Sequence, residues 1–457
     1  MARRRQSKSQ SGKHNDSNSV VKKIKRVRIE SLAHDGCGVG RDENGKVVFV
    51  DGALPDEMIH YKETENRKRF ARGAIVEVLE PSIHRIEPRC QVFAKCGGCS
   101  LQHLSAQQQI VYKQQQLTDN LKKIGRVEAG EILTPIIADA WSYRRRARFG
   151  ATFAQTKNEV RLGFRMRNRH YIQPTQSCDI VDTRISASLP SLREVLSKLN
   201  CNNSINGVEM CIAGETIAVV VLYTGIMLGI DSRILIAFAQ QQNIHLSIKN
   251  GLEAEQPLHP KESTALFYSF NDLNIRLEFS SSDFTQVNAR VNELLVNRVL
   301  QLLDLKKTDS VLDLFCGIGN FTLPISSQSY RVVGIEGDEA LVARAKQNQA
   351  INHIDNVEFH VNNLFTDDLP SFVNDTCSTQ YFDKIVLDPP RTGALQFVQN
   401  IERFEAKKIV YVSCDSATLA RDAKVLVNQK GYRLVAAGIA DMFPQTAHIE
   451  SIAVFEV

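Results

Sequence analysis

No apolar run in this 457-residue chain reaches the length needed to cross a bilayer, and the N-terminus is too basic and polar to form the hydrophobic region of a secretory signal. A soluble, cytoplasmic protein without a membrane partner is expected. Cysteine is also scarce: ten residues, irregularly spread, exclude a secreted scaffold held by disulfides. Net charge is small as well, at +5, but it is unevenly placed. Residues 1–30 hold ten Lys and Arg against Asp16 and Glu30, and residues 141–170 hold nine against Glu159 alone. Two basic stretches on an otherwise mildly acidic body point to a polyanion. The first of them also suits a solvated tail.

The length predicts two to four domains, each able to bury its own core. After a basic, disordered tail at 1–19, residues 20–82 read as short strands and turns. Val27–Glu30 alternates, Val47–Val50 is a buried-type run, Ile75–Val78 closes the segment, and Asn44-Gly45 signals a hairpin. The expectation is a small, OB-like β-barrel, with Arg67, Lys68, Arg69 and Arg72 before its last strand suited to nucleic acid.

Three cysteines then crowd together as Cys90, Cys96 and Cys99, the last two enclosing Gly97-Gly98. Thiolates this close, with glycines that permit a tight wrap, point to a metal site, and Cys178 is the next cysteine available as a fourth ligand. This donor set suits a four-cysteine zinc site and a [4Fe-4S] cluster alike, while its spacing differs from the Cys-x3-Cys-x2-Cys of radical enzymes. Ser105 to Ile124 reads as a helix. Ser105 and Gln108 form a capping-box pattern, Ile110, Leu117, Leu121 and Ile124 share an apolar face, and Gly125 ends it. Beyond it, Arg144, Arg145, Arg146, Arg148, Arg161, Arg165, Arg167 and Arg169 alternate with Tyr143, Phe149, Phe153 and Phe164. Arginines among aromatics suit phosphate contact and base stacking in folded RNA; a sheet with a basic outer face is the plainer alternative. Residues 200–278 read as further sheet and helix.

The last third changes character. Val311–Phe315 is a strand that leads into Cys316-Gly317-Ile318-Gly319-Asn320, and Val332–Glu336 is a second strand ending in an acid. Strand, glycine turn, helix and acid-ended strand form the Rossmann-like way of holding an adenosine. Thr322 stands where a dinucleotide fingerprint has its third glycine, so S-adenosylmethionine (SAM) fits better than NAD. Further strands end at Asn362-Asn363, at Asp388-Pro389-Pro390-Arg391 and at Ser413-Cys414-Asp415, and an antiparallel pair, 434–439 and 449–457, closes the chain. Cys414 at a strand end would face the ligand crevice as a nucleophile; as a lone residue it would equally suit a buried thiol.

Together, Phe284–Asn288, Asp313–Thr322, Asp388–Gly393, Val412–Asp422 and Asp441–Glu450 resemble the RNA uracil-C5 methyltransferase family, and the barrel segment Gly36–Glu57 resembles a TRAM domain, an RNA-binding module. With the cysteine cluster, the resemblance extends over nearly all of the chain from Val20. It implies a multidomain α/β chain: a TRAM barrel at 20–82, a central α+β iron-sulfur domain with a basic face at 83–283, and a Rossmann-like methyltransferase domain at 284–457. It implies SAM contacts at Gln286, Phe315, Asn320, Glu336, Asn363 and Asp388, a nucleophile at Cys414, a base at Glu450, and [4Fe-4S] ligands at Cys90, Cys96, Cys99 and Cys178. The partner it implies is RNA, in particular 23S rRNA and not DNA, methylated by a monomeric enzyme; relatives acting on tRNA are the nearest alternative. A non-catalytic RNA-binding protein on the same scaffold and a metal-dependent redox enzyme are the others. Thr392 and Gln445 depart from the family's Ala and His.

Overall fold

The structure, a computed structural model, describes residues 24–167, 170–260, 265–366, 369–377 and 381–457. The expected tail at 1–19, the start of the barrel segment and Arg169 lie outside the described residues. Two compact units are formed: residues up to 83, apart from 34–36, make one, and residues 84–457 with 34–36 make the other. No helix among the described residues is long and apolar enough to cross a membrane.

The first unit is a closed five-stranded barrel of Ile24–Leu32, Gly38–Arg41, Val47–Asp51, Met58–Asn66 and Phe70–Glu80. Val27, Ile29, Val48, Val50, Ile59, Tyr61 and Ala71 alternate inward to fill it. The hairpin at Asn44-Gly45 forms as its sequence predicts, with Gly45 at φ +77° and its N–H donated to Asp42 O at 2.8 Å. Met58–Asn66 has no counterpart in the sequence reading, because only Ile59 and Tyr61 point inward and the rest of it is polar. Arg67, Lys68, Arg69 and Arg72 are exposed, Arg72 lying over the Phe49 ring.

In the second unit, a six-stranded sheet built from residues 146–259 packs two helices, Thr183–Ser197 and Gly229–Gln242, on one core. An eight-stranded sheet follows. From its edge the strands run Val357–Val361, Arg331–Glu336, Ser310–Leu314, Lys384–Leu387, Lys408–Ser413, Glu450–Glu456, Arg433–Ala440 and Glu131–Ile132. The first five are parallel, the inner four of them largely buried and rich in Val, Ile and Leu, whereas Glu450–Glu456 is antiparallel to both of its neighbours. Strand order reverses between Ser310–Leu314 and Lys384–Leu387, which marks the crevice where such sheets bind ligands.

Residues 100–143 also serve this sheet. Glu131–Ile132 adds its last strand, and Leu117 and Leu121 enter its core. The predicted helix is observed as Ala106–Asn120, prolonged by a π-turn, Leu121–Gly125. Ser105 makes no side-chain cap, and Ile124 is exposed, because the widened π-turn rotates it off the apolar face. The helix buries polar residues instead. Lys113 is fully buried, with Nζ 2.5 Å from Asp441 Oδ1 and 3.0 Å from Phe443 O. Gln109 donates to Leu101 O, Leu104 O and Gln445 Oε1 and accepts from Gln445 N. Tyr143 Oη donates to Pro444 O at 3.0 Å, and Ser100 Oγ accepts from Ala447 N at 2.9 Å. The loop 441–447 is thus fixed from four sides.

Removing one partner of a buried ion pair strands the other's charge, so Lys113→Ala should lose about 3–5 kcal/mol. Urea unfolding should move to lower denaturant, and Lys113→Met with Asp441→Leu should recover most of the loss. Unfolding of the single variant at the wild-type midpoint would contradict the assigned role of the pair.

Candidate active site

The register of two strands builds the centre of the site. Ser413 at the end of Lys408–Ser413 pairs with Ser451 in the antiparallel strand, so the residue after the first, Cys414, meets the residue before the second, Glu450. Strand 384–387 runs parallel beside them, with Leu387 opposite Tyr411, and brings Asp388 to the same edge. Cys414 is partly exposed, whereas Glu450 is buried. Asp415 caps the following helix, Ser416–Lys430, by accepting from Ala417 N and Thr418 N, which sets the turn that carries the thiol.

Electrostatics follow from this crowding. Burial first, then the charges of Glu450 and Asp388, push the Cys414 thiol up to about 11, with Arg391 acting in the opposite direction. Burial and then Asp388 hold the Glu450 carboxyl well above its ordinary range. Asp388 is raised to about 7 by burial and by Glu336. A thiol beside buried carboxyl groups is held in its protonated form.

The glycine turn lies at the same ends of the sheet. Phe315 takes φ +63°, Gly317 +55° and Gly319 +94°, which folds the turn back over the strand ends. Glu336 accepts from Gly317 N at 3.1 Å and from Gly337 N at 2.7 Å, tying the acid-ended strand to the turn. Asn363 follows the next strand, caps Phe365 N, and lies by the Phe315–Phe365 ring pair. Asn320 Oδ1 accepts from Tyr268 Oη and from Asn292 Nδ2, both at 2.9 Å. Gln286 lines a small cavity with Tyr268 and Asn292, the two residues that donate to Asn320.

The residues present suit SAM. Asp313, Glu336 and Asp388 gather negative charge for a sulfonium, and two buried oxygens here, Asp313 Oδ1 and Asn362 Oδ1, have no hydrogen-bond partner among the described residues. Asp313 was missing from the predicted set. It is fully buried, raised to about 7 by burial, and receives Thr322 Oγ1 at 2.5 Å. Its place inside an apolar strand, Val-Leu-Asp-Leu, was the available signal. Asp422 was also missed. It accepts from Tyr411 Oη, Ala394 N and Arg421 Nε, joining the Asp388 loop to the helix after Cys414.

Cys90, Cys96, Cys99 and Cys178 line one cavity of about 300 Å³ with Phe93, Phe164 and Arg148. Burial raises the Cys96 and Cys178 thiols and takes Cys99 to about 12, the neighbouring cysteines adding to each. Among the described residues no three His, Cys, Asp or Glu side chains form a group that could hold a metal ion. The cysteine loop is sewn to the arginine stretch by Gly97 N to Arg165 O, Arg167 N to Lys95 O and Arg167 Nη2 to Cys99 O.

Several residues expected to touch RNA have internal duties. Tyr143 and Phe149 are buried and so cannot stack on bases, and Phe164 packs against Phe149. Arg146 donates to Ser281 O and Asp283 O, and Arg145 N to Val287 O, so these two hold the strap that carries Gln286. Arg148 and Arg165 remain exposed. Gln445, one of the departures from the family pattern, is buried at φ +66° on Gln109.

Iodoacetamide labelling of Cys414, followed by peptide mass spectrometry, should therefore be slow at pH 7 and rise about tenfold per pH unit from 8 to 10, as thiolate forms. A plateau near pH 8 would contradict the acidic environment.

A family model described as tRNA (Uracil-5-)-methyltransferase matches residues 105–456, and a TRAM domain model matches residues 19–76. The 23S rRNA (uracil(1939)-C(5))-methyltransferase of Legionella pneumophila (strain Corby) is 40% identical over 433 residues, 94% of this chain and 96% of that protein. The like-named protein of Xanthomonas oryzae pv. oryzae (strain KACC10331 / KXO85) is 41% identical over 431 residues, again 94% of this chain and 96% of that one. Among solved structures, the Pyrococcus abyssi tRNA (uracil-54, C5)-methyltransferase in complex with S-adenosyl-L-homocysteine superposes with TM-score 0.72 at 22% identity, covering 94% of this chain and 100% of that one, which establishes the shared fold. The chain belongs to the RNA uracil-C5 methyltransferase family and carries an N-terminal TRAM domain.

Proposed function

We propose that this enzyme methylates C5 of one uridine in 23S rRNA, the counterpart of uracil 1939, through a covalent adduct on Cys414. The observation that carries the mechanism is the Ser413–Ser451 register, which sets a thiol and a buried carboxylate side by side at the end of the sheet that bears the glycine turn. Support for the 23S substrate comes from relatives 40–41% identical over 94% of the chain.

Uracil C5 is a weak nucleophile. The Cys414 thiol first gives up its proton to solvent; addition of the thiolate to C6 then moves the C5–C6 electron pair into an enolate, and C5 becomes nucleophilic. Gln286, Phe315, Asn320, Glu336, Asn363 and Asp388 would hold SAM, whose methyl group C5 takes as the sulfur–methyl bond breaks and S-adenosylhomocysteine leaves. Glu450 then removes the proton from C5, the C5–C6 double bond re-forms, and the bond from Cys414 to C6 breaks. A carboxylate held above its ordinary range is a stronger base once ionised, which suits a carbon proton. The face of the ring has to be reached, so the uridine is flipped out of its stack. The exposed Arg148 and Arg165, with the barrel's Arg67, Lys68, Arg69 and Arg72, would serve the phosphates.

Cys90, Cys96, Cys99 and Cys178 would hold a [4Fe-4S] cluster. Their Cys-x5-Cys-x2-Cys pattern and shared cavity support it, although the four thiols are not drawn together into a ligating group in the described structure. The cluster would supply a cross-link between the cysteine loop and the arginine stretch rather than redox chemistry. Residues 83–283 then act as the central domain, lending the segment 100–143 to the sheet of the methyltransferase domain at 284–457, in a monomeric, cytoplasmic enzyme.

Cys414→Ala should lower methyl transfer by about three orders of magnitude or more while SAM still binds. Glu450→Gln should accumulate a protein–RNA adduct seen as a shifted band on a denaturing gel; free RNA alone would count against the base. Mapping 5-methyluridine in cells lacking the gene separates substrates: loss from 23S rRNA is expected, and loss from tRNA alone favours the tRNA reading. SAM binding should strengthen as pH rises from 6 to 8, because Asp313 and Asp388, raised to about 7, ionise and favour a cation. S-adenosylhomocysteine, neutral at sulfur, should respond less; equal pH dependence for the two ligands would contradict the charge argument. Anaerobically purified protein should contain iron and sulfide, and stoichiometric zinc without iron would replace the cluster.

A further inference from the structure

The hairpin Leu266–Phe270 and Ile275–Phe279 stands apart from both large sheets and carries none of the predicted chemistry, yet it reaches the glycine turn twice. Tyr268 Oη donates to Asn320 Oδ1 at 2.9 Å. The same oxygen accepts from Asn292 Nδ2 at 2.9 Å, and Asn320 Nδ2 returns a bond to Asn292 Oδ1 at 3.1 Å. At its other strand, Glu278 N donates to Asn348 Oδ1 at 2.7 Å, while Asn348 Nδ2 donates to Glu278 O and to Ile318 O. Asn348 is fully buried, so these bonds face no competition from water. Arg276 and Asn352 exchange backbone-to-amide bonds one helical turn further on, fastening the hairpin along the helix Glu339–Ile351.

Two of the turn's five residues, Ile318 and Asn320, are thereby held from behind. The network consumes the side-chain oxygen of Asn320 and one of its amide hydrogens, leaving the other hydrogen as its polar offering to a ligand. Rotation of that amide would break three bonds at once. The rings of Phe270 and Phe279 flank Tyr268 and fix its phenol.

We infer that the Leu266–Phe279 hairpin is the positioning element of the SAM turn, with Tyr268 as a positioning residue that aims Asn320 at the cofactor. This rests on the assignment of Asn320 to SAM binding made above. A site set in advance avoids the cost of ordering a side chain on binding, so the effect falls on cofactor affinity.

The test is a double-mutant cycle on the full-length enzyme, read by calorimetric titration with S-adenosylhomocysteine. Tyr268→Phe should weaken binding about five- to tenfold, the loss of one net hydrogen bond. In an Asn320→Ala background the same change should have no further effect, and in steady-state assays the KM for SAM should rise while that for RNA does not. If Asn320→Ala weakens binding but Tyr268→Phe does not, the hairpin inference fails and the cofactor assignment stands. If the two changes are additive, Tyr268 acts elsewhere and the inference also fails. If Asn320→Ala binds like wild type, the assignment of Asn320 itself is wrong. Should Tyr268→Phe not fold, Asn292→Ser removes the second donor and is judged in the same cycle by the same outcomes.

Discussion

The catalytic arrangement depends on one pairing, Ser413 opposite Ser451 across two antiparallel strands. Because side chains alternate along a strand, a shift of one residue would turn Glu450 away from the site and Ser451 toward it. The pairing is defended from outside the sheet. Lys113, Gln109, Tyr143 and Ser100 hold the loop 441–447, so the chain enters the last strand from a fixed point. Polar groups buried in this way are costly unless every one is bonded, and that cost selects a single register over its neighbours.

The same edge of the sheet solves an electrostatic problem in two halves. Asp313, Glu336 and Asp388 bring together acidic groups that suit a cation, while burial, Glu450 and Asp388 disfavour a thiolate at Cys414. Cys414 is therefore held as a thiol. Glu450, raised by burial and by Asp388, is held as a group that takes up a proton readily. Proximity of these groups thus tunes each of them through the others.

Much of the methyltransferase region was legible in the sequence, because its inner parallel strands are rich in Val, Ile and Leu and its candidate ligand residues lie where those stretches stop. Glu336, Asp388 and Cys414 each end or follow such a run. The antiparallel closing pair was legible too, but not its register, which depends on the loop 441–447 and on contacts with residues more than 300 positions away. Polar residues gave the weakest signal. Gln109 and Lys113 look like the solvent face of a helix and are its most deeply buried polar groups. Arg145 and Arg146 look like phosphate contacts and hold a strap instead. Tyr143 and Phe149 look like stacking platforms and fill the interior, Phe149 on the inward face of strand Arg146–Ala154 and Tyr143, ahead of it, bonded to Pro444 O. In each case tertiary packing, which the local sequence does not carry, decided which side faced water.

The central claim is a covalent bond between Cys414 and C6 of the target uridine. Its most direct measurement uses a 23S rRNA fragment carrying 5-fluorouridine at the target position, incubated with SAM and analysed by peptide mass spectrometry. Fluorine cannot leave C5 as a proton does, so the last elimination is blocked and the intermediate persists. The account predicts a methylated fluorouridine attached to the peptide that contains Cys414, and no adduct from Cys414→Ala. Methylation of ordinary RNA with no trapped adduct, or an adduct on another cysteine, would contradict it.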